Sequence, residues 1–382
     1  MTRPGRICFY SEYAYPLIAG SAIEFAGGAE AMVVRLARAL AAASWDVSLV
    51  TCDYGQPARQ TLDGVTVLRS FRPGRGLRFV RFVHPRLSLA TAALLRADAE
   101  IYYVCGSGMP AGLTSEVARL KRASFVIGLA SDYDVMTDPP LASGSANLGW
   151  YFRALRRADH VFAQTEFQST ELQKNFGVAS TILPNMMEIP ETPADPGKEG
   201  IVLWNATYKA IKRPEWFVNL ARELPGHRFV MAGIIPPPPL TREAWDSAVA
   251  AARELPNLEV HGFLPESELV QLRRRAALVV HTSPVEGFSN VLLETWAAGI
   301  PTVSCVNPDG LVTREGFGAY APDFPALRES VGRWMADPEA RRKAGARARR
   351  YAELHHAPRA VLNTLTAELE TQLQRVRRQR VA

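Results

Sequence analysis

One feature restricts this chain more than any other: an alternation that runs through its first half and then starts again in its second. Short β-branched or aromatic runs alternate with segments whose apolar residues recur at helical spacing, the sequence form of βαβ units and parallel sheets. In the first half, strands are expected at Ile7–Ser11, Val47–Thr51, Val65–Arg69, Ile101–Cys105, Phe125–Leu129 and His160–Ala163. Between the first two lies Ala29–Ala43, where Val33, Leu36, Ala37 and Leu40 mark one helix face. The second series places strands at Ile201–Trp204, Phe229–Ala232, Leu258–His261, Leu278–Thr282 and Thr302–Cys305. Helices are expected between them at Trp216–Leu224, Glu266–Arg275 and Asn290–Ala298.

The length, 382 residues, suits two such domains, since domains run at roughly 100–200 residues. Asn185–Gly200 is rich in Pro, Gly and acidic residues and reads as an exposed linker. The expected division is therefore 1–184, 185–355, and a C-terminal helix with a basic tail over 356–382 that packs back on the first domain. Pro338–Glu370 reads as helix, with Asp337 as cap before a first-turn proline and a break at Ala357-Pro358. Pro236–Pro239 reads as a rigid local spacer. Two parallel α/β domains in series can set their strand C-termini, where such sheets bind ligands, facing across a cleft.

Composition narrows the class. Hydrophobic residues make up 47% and charged residues 21%, the balance of a folded soluble protein and not of a disordered one. Cys8, Cys52, Cys105 and Cys305 form no CxxC pair and lie in or beside apolar runs, which points to buried reduced thiols in a cytosolic chain and away from zinc. The N-terminal Met1–Arg6 lacks the apolar stretch of a secretory signal, and no window of about 18 apolar residues suggests a membrane span. The net charge of +6 is concentrated late, at Arg341, Arg342, Lys343, Arg347, Arg349 and Arg350, then Arg375, Arg377, Arg378 and Arg380. This reads first as a solvated helix face and second as attraction to an anionic membrane surface or phosphorylated acceptor. Nucleic acid is disfavoured, because aromatic residues are not interleaved and no binding module accompanies the charge.

The segment His281–Glu294, HTSPVEGFSNVLLE, runs from a strand end through a glycine turn into a helix. Ser289 or Asn290 suits the N-cap, and Gly287 lets a ligand approach the backbone. A helix N-terminus offers unpaired N–H groups and a positive dipole end, which favour a phosphate or diphosphate. Glu286 and Glu294 flank that anion site. Carboxylates repel phosphates, so they should meet hydroxyls, such as those of a sugar and a ribose.

At these residues the chain resembles the retaining GT-B glycosyltransferases of the glycogen-synthase-like, "glycosyltransferase group 1" type. Their E-x7-E motif is matched by Glu286 and Glu294, and Glu286–Thr302, EGFSNVLLETWAAGIPT, is similar to the family signature through the Gly299-Ile300-Pro301 turn. The resemblance implies a GT-B fold, an α/β architecture of two Rossmann-like domains with parallel sheets facing across a cleft. It also implies that Glu286 contacts the donor sugar, that Glu294 holds the ribose, and that amides around Gly287, Phe288 and Ser289, with Asn290, meet the diphosphate. Ile201–Glu215 is similar to the family's basic phosphate loop, which gives Lys212, with Lys209 second, the task of stabilising the leaving diphosphate. Thr207 lies on this loop, and Phe263, in His261-Gly262-Phe263-Leu264, belongs to the loop that meets the base. On the acceptor side the resemblance implicates Gly27, Gly28 and Glu30, together with Ser131 or Asp132.

Two departures stand out. The family often has Gly-Arg where this chain has Ala206-Thr207, and many members carry an N-domain histidine where this chain has Leu129-Ala130-Ser131-Asp132. Asp132-Tyr133-Asp134 also reads as a DxD metal–diphosphate motif, but that motif belongs to an architecture with one nucleotide-binding domain. Gly106–Ala111 is a loose GxGxxG/A without an acidic partner, and His355-His356 lacks further ligands. The sequence therefore implies a cytoplasmic enzyme, peripheral at the inner membrane face if the basic segments bind lipid. It would move a hexose-type sugar from a nucleotide-diphosphate donor, with no cofactor or metal, to a glycan, lipid-linked or small-molecule acceptor. The rival readings are a non-catalytic nucleotide-sugar binder and an epimerase or phosphorylase on the same scaffold.

Overall fold

The computed structural model describes residues 5–21, 27–76, 82–139, 145–198, 200–236 and 242–381. Residues 1–4 of the N-terminal segment, and the expected spacer apart from Pro236, lie outside the described residues. The chain divides into two compact units, Met1–Met186 with Pro358–Ala382, and Met187–Ala357.

In the first unit, eight strands form one sheet: β1 (Arg6–Tyr10), β2 (Asp46–Thr51), β3 (Arg59–Leu62), β4 (Val65–Arg69), β5 (Ile101–Cys105), β6 (Ser124–Gly128), β7 (His160–Ala163) and β8 (Thr181–Ile182). Their order is β3-β4-β2-β1-β5-β6-β7-β8, and only the β3–β4 pairing is antiparallel. Strand pleating sends alternate residues to opposite faces. Cys8 and Tyr10 accordingly join one core, and Ile7 and Phe9 the other. The second core is covered by the helix Gly28–Ala42 and by the terminal helix Pro358–Val381. Val361, Leu365, Leu369 and Leu373 recur every fourth residue along that terminal helix, so they form one buried stripe. In this unit the expected strands appear with ends shifted by at most one residue. β3 and β8 were not foreseen, because Arg59-Gln60-Thr61-Leu62 holds one apolar residue and β8 is two residues long.

The second unit builds a wholly parallel sheet from β9 (Ile201–Asn205), β10 (Phe229–Ala232), β11 (Leu258–His261), β12 (Ala276–His281), β13 (Thr302–Ser304) and β14 (Gly318–Tyr320). The order is β11-β10-β9-β12-β13-β14. β14 carries too short an apolar run to be read from sequence. Sequence order reverses between β9 and β12, and loops leaving two such strands at their C-terminal ends part to opposite sides and leave a crevice.

The late helix breaks as expected, into Pro338–His355 and Pro358–Val381. Asp337 caps the first of these, accepting the Ala340 N–H at 2.9 Å. Gly299 takes φ +78°, the left-handed conformation open to glycine, and a side chain at Gly345 on the facing helix would meet the Gly299 carbonyl at 2.1 Å.

Two expectations are corrected in part. The Asn185–Gly200 segment is exposed at Glu188, Glu191, Thr192, Pro193, Asp195 and Lys198, as expected of a linker, but it is tied down between them. Asn185 and Met187 are buried, and the Ala194 N–H donates to the Ala298 carbonyl at 2.8 Å. Arg349 donates to the Pro190 carbonyl at 2.8 Å, and Arg341 to that of Pro196 at 2.7 Å. Composition signals a lack of regular structure, and the backbone polar groups of such a segment find partners elsewhere, here arginine side chains and a helix-end carbonyl. The late arginines are likewise more than a solvated face. Arg341, 3% exposed, donates at 2.8 Å to the Trp334 carbonyl at the end of the helix Phe324–Ala336, where cations favour the dipole. Arg347 binds the Gly316 carbonyl, while Arg375 and Arg377 pair with Asp159 and Glu100 at 3.1 and 3.0 Å. No described helix is long and apolar enough to cross a membrane.

Candidate active site

In the second unit the loops that follow β9 and β12 meet beyond the C-terminal ends of these neighbouring strands. The β9 loop is anchored by Tyr208, which is fully buried with ring centroids 5.1 Å from Trp204 and 5.0 Å from Trp245. Its hydroxyl donates to the His261 carbonyl at 2.8 Å. Lys209 is the half-buried N-cap of a 3-10 turn, Ala210–Lys212, and Thr207 lies just before it. Thr282 ties this turn to the sheet: its hydroxyl accepts from the Trp204 indole at 2.9 Å and donates to the Lys212 carbonyl at 2.5 Å.

From this turn the Lys212 ammonium donates to Glu286 Oε1 on the β12 loop. His281 Nε2 lies 3.5 Å from the same oxygen. The Glu286 side chain is 18% exposed. Burial pushes its carboxyl upward in pKa, but the His281 hydrogen bond and the Lys212 charge outweigh that and hold it at about 2, below the ordinary 4.5. Glu286 is therefore an anion with a fixed direction at neutral pH.

Gly287, Phe288 and Ser289 are buried at the start of the helix Asn290–Ala297. Ser289 stands at the N-cap yet makes no side-chain bond to the helix. The Phe288 ring packs against Trp296 and His356. Glu294, one turn further on, accepts from Arg273 Nη2 at 2.5 Å, and Arg273 Nη1 reaches Glu266 at 3.0 Å. Phe263 follows β11 and is 42% exposed. The structure thus joins Lys212 directly to Glu286 and gives Glu294 a cationic partner. Sequence reasoning missed His281, Thr282 and Arg273. Each reads as an ordinary strand or helix residue, and Arg273 is one of three consecutive arginines.

The first unit uses its singled-out residues locally. Glu30 accepts the Gly27 N–H at 3.0 Å, the one half of a capping box open to a glycine N-cap, at the helix that begins with Gly28. Ser131 Oγ accepts the Tyr133 N–H at 3.3 Å, and Asp132 accepts from Gln168 at 3.1 Å. Asp134 is buried and accepts the Ala130 and Ser131 N–H groups at 2.8 and 3.1 Å, so this half of the DxD pattern closes a turn. Sequence reading also passed over Glu12, which is buried beyond the end of β1 and bound by Tyr10 at 3.0 Å and Arg86 at 2.9 Å.

Comparisons with known proteins bear on the same residues. A family model described as a glycosyl transferase 4-like domain matches residues 27–185, and one described as glycosyl transferase-like matches 212–367. By sequence, no curated protein matches the chain. Among solved structures, sucrose-phosphate synthase from Thermosynechococcus elongatus is 20% identical, with a TM-score of 0.79 over 97% of this chain and 99% of that one. Anabaena HepE in complex with UDP and glucose is 14% identical, with a TM-score of 0.73 over 96% and 99%. The Escherichia coli trehalose-6-phosphate structure bound with UDP-2-fluoro glucose is 12% identical, with a TM-score of 0.66 over 96% and 99%. Likeness at these identities speaks to the fold, and the two matched domains speak to the activity. This chain belongs to the GT-B glycosyltransferases.

Proposed function

We propose that this enzyme moves a hexose-type sugar from a nucleoside-diphosphate sugar to a glycan, lipid-linked or small-molecule acceptor, with retention at the anomeric carbon. The observation that carries this reading is the Lys212–Glu286 pair at the N-terminus of the helix Asn290–Ala297. A cation and a helix N-terminus suit a departing diphosphate, and a fixed carboxylate suits a sugar hydroxyl. UDP and glucose or its derivatives accompany two of the neighbouring folds, which makes UDP-glucose the first donor to try.

In the proposed reaction the anomeric carbon–oxygen bond to the diphosphate breaks as the acceptor oxygen attacks from the same face. The acceptor proton passes to the leaving phosphate oxygen. Lys212, with Lys209 in support, stabilises the charge that gathers on that leaving group, while Glu286 orients the sugar and Glu294 the ribose. Arg273 fixes the direction of Glu294. Gly27, Gly28, Glu30, Ser131 and Asp132 are assigned to the acceptor side.

No metal has a step in this scheme, so transfer should persist in excess EDTA. Loss of activity restored by Mg²⁺ would overturn that point. The donor reading is tested by thermal shift with UDP-, GDP-, ADP- and TDP-sugars, since a ligand at about 100 times its Kd adds about 2.7 kcal/mol. Stabilisation by one nucleotide class is expected, and no stabilisation by any would sink the reading. The four unpaired cysteines, three of them buried, support placement in a reducing compartment.

A further inference from the structure

His281 is the last residue of β12 and is 4% exposed. Its ring lies among three side chains that the scheme above leaves partly unused. Nδ1 is 3.5 Å from Ser304 Oγ, and that oxygen accepts the Val306 N–H at 3.1 Å. The ionised Glu286 carboxylate can only accept, which places an imidazole proton on Nε2, and the Ser304 hydroxyl can donate to Nδ1 while it accepts from Val306. Nε2 is 3.2 Å from Ser289 Oγ and 3.5 Å from Glu286 Oε1.

Both neighbours matter to a bound donor. A serine at an N-cap ordinarily accepts an N–H from the first turn of its helix. Ser289 does not, because its hydroxyl is turned to His281. Glu286 Oε1 is shared between His281 and Lys212. A diphosphate at this helix competes for the Lys212 ammonium, and once the lysine turns, His281 is the partner still in place for that oxygen.

We propose that His281 is a positioning residue for donor recognition. It keeps the Ser289 hydroxyl from competing with an anion for the first helix amides, and it holds the Glu286 carboxylate when Lys212 moves to the diphosphate. The inference rests on the roles given above to Lys212 and Glu286.

The test is calorimetric titration of UDP and of UDP-glucose into the full chain, as wild type, His281→Gln, His281→Phe and His281→Phe with Ser289→Ala. His281→Phe should weaken UDP about fivefold and UDP-glucose about thirtyfold, the loss of one and then two hydrogen-bonding functions. His281→Gln, which retains an N–H donor, should stay within about threefold of wild type on both. Adding Ser289→Ala to His281→Phe should restore UDP affinity while leaving the excess loss for UDP-glucose. Unchanged affinities in His281→Phe, or equal losses in the Gln and Phe variants, would overturn the proposal. If His281→Phe does not fold, Ser304→Ala reads the same arrangement by freeing the tautomer. It should then weaken UDP-glucose more than UDP, and equal effects on the two would count against the idea. A wild-type chain that binds neither UDP nor UDP-glucose, nor the GDP, ADP or TDP pairs, overturns the donor reading itself.

Discussion

Lys212 and Glu286 stand 74 positions apart in sequence and meet because β9 and β12 are neighbours where strand order reverses. Each has a second support that only the fold supplies, Thr282 for the lysine backbone and His281 for the carboxylate. Lys212→Ala should therefore lower transfer about 10²- to 10³-fold, as loss of a transition-state cation does, in a chain that still folds but melts lower because Glu286 has lost its cation. Turnover equal to wild type on a verified donor would remove the lysine from the mechanism. Glu286 also predicts a pH response. Its carboxyl is depressed to about 2 from 4.5, so between those values the unfolded chain binds a proton that the folded one refuses. Stability from this group is complete above about pH 4.5 and is lost as pH falls toward 2, an effect of roughly 3 kcal/mol at most. Acid titration of the melting temperature should show this slope in the wild type and a shallower one in Glu286→Gln. Glu294→Ala and Arg273→Ala should each weaken nucleotide binding, and an affinity left intact by both would separate that pair from the ribose.

At the scale of elements, the motif was legible because its parts are local. A strand, a glycine turn, a capped helix and a Gly-Ile-Pro return lie within one short stretch, and Gly299 at φ +78° shows why that turn calls for glycine. The same locality made the break at Ala357-Pro358 and the Asp337 cap readable. Asp337→Ala should cost about 1 kcal/mol, the ordinary worth of an N-cap, seen as a lower midpoint in denaturant. β3, β8 and β14 were invisible for the converse reason. Short edge or near-edge strands with few apolar residues owe their existence to a neighbour's ladder and not to their own pattern. Ser289 illustrates a third case: its N-cap position was readable, but the diversion of its hydroxyl to a histidine eight residues earlier was not.

For the whole molecule, the terminal helix is the plainest case of a segment whose role its own composition disguises. Its basic residues drew attention to a membrane or a phosphorylated partner, while its Val361, Leu365, Leu369 and Leu373 stripe completes the core of the first unit. Leu369→Ala should destabilise that unit by about 2–5 kcal/mol. Nucleotide binding by the second unit, whose cores share no residue with it, should remain measurable by calorimetry at low temperature. Sequence by itself determined the two parallel α/β sheets, most strand positions and the E-x7-E helix, because periodicity and capping act between residues close along the chain. Tertiary structure alone decided that Lys212 faces Glu286, that Arg273 holds Glu294 and that His281 stands behind both Ser289 and Glu286. Such pairings depend on which strands lie side by side, and strand order is fixed by the packing of the whole sheet.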